Sequence, residues 1–170
     1  MHTRKYLLFL VLALSWLLII SDCSKTITEP EPQLLKIHFY YGFGNELNTF
    51  EQTYTKDLVE DGYITVSFWL TEAEQESISN KLQVVDFFNF PDTLIQMDSD
   101  SIMVWISPDP GWQFLRVADE NREKVVYWCY PLPDGNEFVP RLVELKNLII
   151  KTLEAKPEYQ ALPPPRGGYI

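Results

Sequence analysis

Leu35, Ile37, Phe39 and Tyr41 alternate with Lys36, His38 and Tyr40, the period of two expected of a strand with one buried face. Gly42-Phe43-Gly44-Asn45 ends that run. Residues 53–58 and 63–70 read as two more strands, and Asp61-Gly62 between them favours a hairpin turn with positive φ. In the second of these, Ile64, Val66, Phe68 and Leu70 point one way, and Tyr63, Thr65, Ser67 and Trp69 the other. Thr71-Glu72-Ala73-Glu74 then forms a capping box. Its threonine hydroxyl accepts the Glu74 amide proton, while the Glu74 carboxylate reaches back to the Thr71 amide. Glu72, Glu74 and Glu76 place negative charge where the helix dipole is positive. The helix is predicted from residue 72 to about 88, with Ile78, Leu82, Val85 and Phe88 on one face and Pro91 as the stop.

Residues 102–107, 113–118 and 124–130 read as three further strands. Pro108-Asp109-Pro110-Gly111 and Asp119-Glu120-Asn121-Arg122 supply their turns. A second helix runs to about residue 155 after a loop at 131–135. Phe138, Leu142, Leu145 and Ile149 form its apolar stripe, broadened by Val143, Ile150 and Leu153. Pro140 falls in the first turn, where a missing N–H breaks no helical bond. Residues 156–170 contain Pro163-Pro164-Pro165 and Gly167-Gly168 and are expected to be an extended, irregular arm. The order βββ-α-βββ-α with hairpin-length connections predicts an α+β domain over residues 34–155. It would be an antiparallel sheet of about five to six strands with two packed helices.

The 170 residues suit one domain of that kind. Hydrophobic residues at 46 % and charged residues at 22 % exclude a wholly disordered chain. A net charge of −10 argues against a nucleic-acid partner, because phosphate binding needs Lys and Arg. It argues equally against docking on anionic lipid through a basic patch. Two cysteines exclude a disulfide-rich scaffold and a four-cysteine zinc site.

The N-terminus reads as an export signal over residues 1–22. Arg4 and Lys5 precede fifteen residues, 6–20, in which Ser15 alone is neither aliphatic nor aromatic. A spanning helix needs roughly 20 apolar residues. This run is shorter and has the form of a secretory h-region. Ile20-Ser21-Asp22-Cys23 follows and resembles the lipobox of bacterial lipoproteins, with Asp22 standing where that pattern carries Gly or Ala. The resemblance implies lipid attachment (diacylglycerol and palmitate-type acylation) at Cys23. An uncleaved signal anchor and ordinary secretion remain the alternatives. Residues 23–33, polar and with two prolines, read as a tether. The expected location is the outward face of the cell membrane.

Thr53-Tyr54-Thr55-Lys56-Asp57, Asp86-Phe87-Phe88-Asn89-Phe90-Pro91-Asp92, Lys156-Pro157-Glu158-Tyr159 and Pro165-Arg166-Gly167-Gly168-Tyr169 together resemble a family of uncharacterised bacterial exported lipoproteins. The resemblance implies export and an α+β fold. It transfers no catalytic residue.

Candidate chemistry is sparse. His38 lies mid-strand on the face opposite Ile37 and Phe39, with no nucleophile in sequence context. Asp98-Ser99-Asp100-Ser101 lacks the glycine and closing glutamate of a calcium loop. Gly42-Phe43-Gly44 lacks the third glycine of a phosphate loop. Cys129 sits in an apolar run and reads as a small core residue. No metal and no cofactor are expected. The aromatics stand out. Trp69, Trp105, Trp112 and Trp128 join Tyr40 and Tyr63, with Tyr127 and Tyr130 nearby. In 102–106 and 125–130 both strand faces are apolar, so either both sheet faces are covered or an aromatic strip meets solvent. Such a strip stacks on sugars, peptides or cations. The sequence therefore predicts a non-enzymatic envelope domain that binds a protein or glycan ligand. The alternatives are an envelope hydrolase using carboxylates such as Asp86 and Asp92 or Glu72 and Glu76, and an acidic inhibitor of the immunity type.

Overall fold

The computed structural model describes residues 35–95, 111–130 and 132–169. The export signal, Cys23, the tether, the 98–101 segment, the strand expected at 102–107 and Trp105 lie outside the described residues. The α+β class is as expected. Among the described residues the sheet has seven strands, more than the five to six expected, in the order β4-β3-β2-β1-β6-β7-β5. These are β1 (Lys36–Tyr41), β2 (Asn45–Asn48), β3 (Thr53–Asp57), β4 (Tyr63–Ser67), β5 (Thr93–Leu94), β6 (Gln113–Ala118) and β7 (Glu123–Trp128).

Two of these strands correct the sequence expectation. Gly42 takes φ 63°, and the chain turns within three residues to pair β2 antiparallel with β1. The segment at Gly42–Asn45 therefore opens a hairpin instead of ending the sheet's first run. β5 pairs with β7 in parallel, so the sheet is mixed and not purely antiparallel. That pairing comes from the chain returning to the sheet edge after the first helix, a non-local contact.

Helix α1 spans Glu72–Val84. Its capping box is formed as expected: the Thr71 hydroxyl accepts from the Glu74 N–H at 3.3 Å, and the Thr71 N–H donates to Glu74 Oε2 at 2.7 Å. The helix stops before residue 88 because Asp86 adopts φ 57°, a left-handed conformation, and a 3-10 turn follows at Phe87–Asn89. Helix α2 spans Phe138–Glu154. The arm expected to be irregular begins with a further short helix, α3 (Pro157–Gln160), in which Pro157 occupies the first helical position.

Strand register assigns the two faces. Ile37 and Phe39 pair with Val117 and Leu115, Phe39 with Leu47, Leu47 with Tyr54, and Leu115 with Val126. All of these are buried, together with Ile78, Leu82 and Val85 around α1 and Leu142, Leu145, Ile149 and Leu153 of α2. Both helices therefore cover the same sheet face. Each fully buried Leu, Ile or Phe there contributes roughly 1.5–3 kcal/mol relative to exposure. Arg141 of α2 donates to the Val85 carbonyl at 3.4 Å, and Lys81 pairs with Glu144 at 3.3 Å, so the helices are joined at their ends and along their sides.

Candidate functional site

With both helices on one side, the other sheet face presents Lys36, His38 and Tyr40 from β1, Glu46 from β2, Thr55 from β3, Thr65 from β4, Phe114 and Arg116 from β6, and Tyr127 from β7. Tyr40 lies directly opposite Phe114, and Phe114 directly opposite Tyr127. The three rings form a row across β1, β6 and β7. Tyr40 and Phe114 are nearly parallel, 12° apart with centroids at 6.0 Å; Phe114 and Tyr127 lie at 5.8 Å and 47°. His38 meets the Phe114 ring edge-on at 4.8 Å. Tyr40 and Phe114 are half-buried by one another and Tyr127 is exposed.

Charges bracket this row. His38 Nε2 lies 2.5 Å from Glu46 Oε1, and Glu46 is the register partner of Tyr40. Arg116 donates to both Glu123 oxygens at 2.9 and 3.1 Å, and its guanidinium lies 4.4 Å from the Phe50 ring centroid. Partial burial, with the charges of Tyr63, Glu46 and Asp57 nearby, pushes the Tyr40 phenol above its ordinary range. Its hydroxyl therefore remains a neutral donor at physiological pH.

At one end of the row lies an aromatic and acidic corner. Tyr63 is 63 % exposed, and its ring lies so close to Gly44 that a Cβ there would sit 2.4 Å from a ring carbon. Phe43 stacks on Tyr169 of the arm with centroids 4.3 Å apart. The Tyr169 hydroxyl donates to the buried Asp57 carboxylate.

Of the residues singled out from sequence, Tyr40 lies in the row and Tyr63 beside it. Trp69 and Trp112 are 52 % and 53 % exposed, just outside β4 and β6. Trp128 is a correction: it is 1 % exposed and faces the helices. Its indole N–H donates to Gln113 at 3.1 Å, and Lys146 lies 4.9 Å from its ring centroid. Strand parity explains this, because Trp128 shares a face with Val126. Cys129, just past β7, is half-buried instead of fully inside. Sequence reading missed Phe114, Phe43, Glu46, Asp57 and Tyr169. Phe114 was legible in principle, since it shares the parity of Trp112.

A separate open cleft of about 670 Å³ runs along α1, with Glu72, Glu76, Asn80, Asp119 and Arg122 among its lining. Arg122 pairs with Asp119 at 3.0 Å and lies 3.7 Å from the Phe88 ring centroid. Burial pushes the Asp119 carboxyl upward, but hydrogen bonds from Asn121 and Arg122 more than offset that and hold it below its ordinary range. Asp61, Glu74 and Glu123 are likewise displaced downward. A general acid needs a displacement in the other direction.

Among the described residues, no group of three or more His, Cys, Asp or Glu side chains could hold a metal ion. No described helix is long and apolar enough to cross a membrane. No protein-family model matches the chain, and neither a curated protein nor a solved structure does.

Proposed function

We propose that this chain is an exported domain, tethered at the outer face of a bacterial membrane by its N-terminal segment, whose sheet face opposite α1 and α2 binds an envelope ligand or partner. The reading of residues 1–22 as a lipoprotein-type signal ahead of Cys23 supports the location. The observation that carries the binding role is the Tyr40–Phe114–Tyr127 row, three aromatic rings in register on a face no described helix covers. Such a row offers stacking area, while His38, Glu46, Arg116 and Glu123 offer polar contacts at its margin, the combination used for sugars and peptides.

Two measurements test this. Intact mass of the protein from the membrane fraction reads the tether: a diacylglycerol on Cys23 supports it, and an unprocessed chain in the cytosol contradicts it. Equilibrium binding to soluble muropeptides, oligosaccharides and envelope proteins reads the face. A Phe114→Ser, Tyr127→Ser double variant should weaken a detected ligand by about tenfold or more, as loss of two stacking contacts implies.

A second reading, a carboxylate hydrolase, draws on Glu72, Glu76 and Asp119 lining one cleft. Turnover of peptidoglycan or oligosaccharide that is abolished by Glu76→Gln and untouched by the double variant would favour it over the binding role.

A further inference from the structure

The arm beyond α3 is held to the sheet's β3–β4 end by an ion pair, backbone hydrogen bonds and an aromatic stack. Arg166 grips Asp61 with two guanidinium nitrogens, Nε at 2.6 Å from Oδ2 and Nη2 on Oδ1. Its backbone pairs with the turn through the Arg166 N–H to the Leu58 carbonyl at 3.2 Å and the Glu60 N–H to the Arg166 carbonyl at 3.3 Å. Three residues on, the Tyr169 ring lies on Phe43 and its hydroxyl donates to Asp57. Gly167 takes φ 78° and crosses Glu60 so closely that a Cβ would meet the carboxylate at 2.5 Å. One arginine and one tyrosine, three positions apart, thus meet two aspartates and one aromatic platform.

This arrangement has the form of a peptide-recognition site already filled. Asp57 is buried, and its Oδ1 is engaged by the Val59 N–H at 2.9 Å. Oδ2 points to the position the phenol occupies. Phe43 and Tyr169 remain partly exposed, so the occupant can leave without opening the core. Resting on the reading that the aromatic face binds a partner, we propose that Phe43, Asp57 and Asp61 form a receptor for an Arg-x-x-Tyr segment of a partner protein, with Arg166 and Tyr169 as the resident latch. The latch shuts one end of the aromatic face, beside Tyr40 and Tyr63, until a partner segment displaces it. An intramolecular occupant on a short connection acts at an effective concentration in the millimolar range. Free peptide therefore competes poorly with the intact arm.

The test uses the full chain and the peptide acetyl-Pro-Pro-Arg-Gly-Gly-Tyr-amide, followed by calorimetry or fluorescence anisotropy. Arg166→Ala, Tyr169→Ala, which frees both Asp61 and Asp57, should bind the peptide at least tenfold more tightly than the unaltered chain. Replacing the peptide's tyrosine by phenylalanine, or its arginine by alanine, should each weaken binding to Arg166→Ala, Tyr169→Ala several-fold. Phe43→Ser in that background should remove most of the affinity. Phe43 lies at the surface, and an unchanged melting temperature separates loss of the site from loss of the fold. Equal affinity of the unaltered chain and Arg166→Ala, Tyr169→Ala would overturn the latch. Indifference to the phenol and the guanidinium, or equal competition by chitotetraose, would overturn the peptide receptor. Neither result touches the Phe114 and Tyr127 test of the open face, so the two ideas fail separately.

Discussion

Tyr40 and Phe114 face one another across β1 and β6 with ring planes 12° apart, while their chain neighbours Phe39 and Leu115, paired in the same register, are fully buried on the other side. One strand pair thus contributes both to the core and to the open face. The two faces should respond differently to truncation. Phe39→Ala leaves a cavity beneath the helices and should cost about 3–5 kcal/mol. Phe114→Ser loses stacking with Tyr40 and Tyr127 and should cost about 0.5–1.5 kcal/mol. Urea unfolding of both variants measures the difference. Equal costs would mean that the second face is covered in solution.

Lys156 ties the arm to the cap of α1. Its ammonium lies 2.9 Å from Glu74 Oε2, and the side chains are only 9 % and 25 % exposed. Burial pushes the Glu74 carboxyl upward, but hydrogen bonds from the Thr71 backbone and from Lys156 more than offset it, so the carboxyl titrates below its ordinary value. A depressed carboxyl gives stability that is present above the unfolded value of 4.5 and is lost as pH falls through the lower folded value. Lys156→Met should cost about 1–3 kcal/mol at pH 7, and the cost should shrink toward pH 3. A pH series of unfolding midpoints checks this; a difference that stays constant through the acid range would contradict it.

The alkaline limb should be governed by tyrosines. Burial pushes the Tyr41 phenol up to about 12 and raises Tyr54 further, the two hydroxyls lying 2.9 Å apart near Tyr159 and Glu154. The hydrogen bond to Asp57, with Tyr63 and Tyr40 close by, pushes Tyr169 up to about 12. Raised phenols stabilise the fold fully below pH 10 and lose that contribution as pH rises through about 12. Ultraviolet titration of phenolate against far-ultraviolet circular dichroism should show the delayed tyrosines ionising together with unfolding. Their ionisation near pH 10 with the fold intact would contradict the buried Tyr41–Tyr54 pair.

Much of this architecture was legible where signals were local. Thr71 and Glu74 announced α1, and the 3.6-residue stripe from Leu142 to Leu153 announced α2, because caps and helical periodicity are short-range properties. β2 was hidden because Asn45–Asn48 carries a single apolar residue, Leu47, too little for alternation to register. β5 was hidden because it is two residues long and its parallel partner lies more than thirty positions away. The candidate site was legible in residue type but not in membership. Tyr40 and Tyr63 lie where an aromatic surface was expected, whereas Trp128 turned inward with Val126 and Phe114 took its place outside. The pairings of His38 with Glu46 and Tyr169 with Asp57 depend on strand register and on the path of the arm, neither of which the sequence pattern specifies.

On the proposed binding role, the ligand meets the sheet face that carries Tyr40, Phe114 and Tyr127, not the helical side. Aromatic side-chain NMR of the full chain, titrated with soluble muropeptides and then with oligosaccharides and envelope proteins, tests it most directly. Saturable shifts are expected at Tyr40, Phe114 and Tyr127 while Trp128 and Phe39 stay unmoved. Saturable shifts confined to residues lining the α1 cleft, or no shifts with any of these probes, would contradict it.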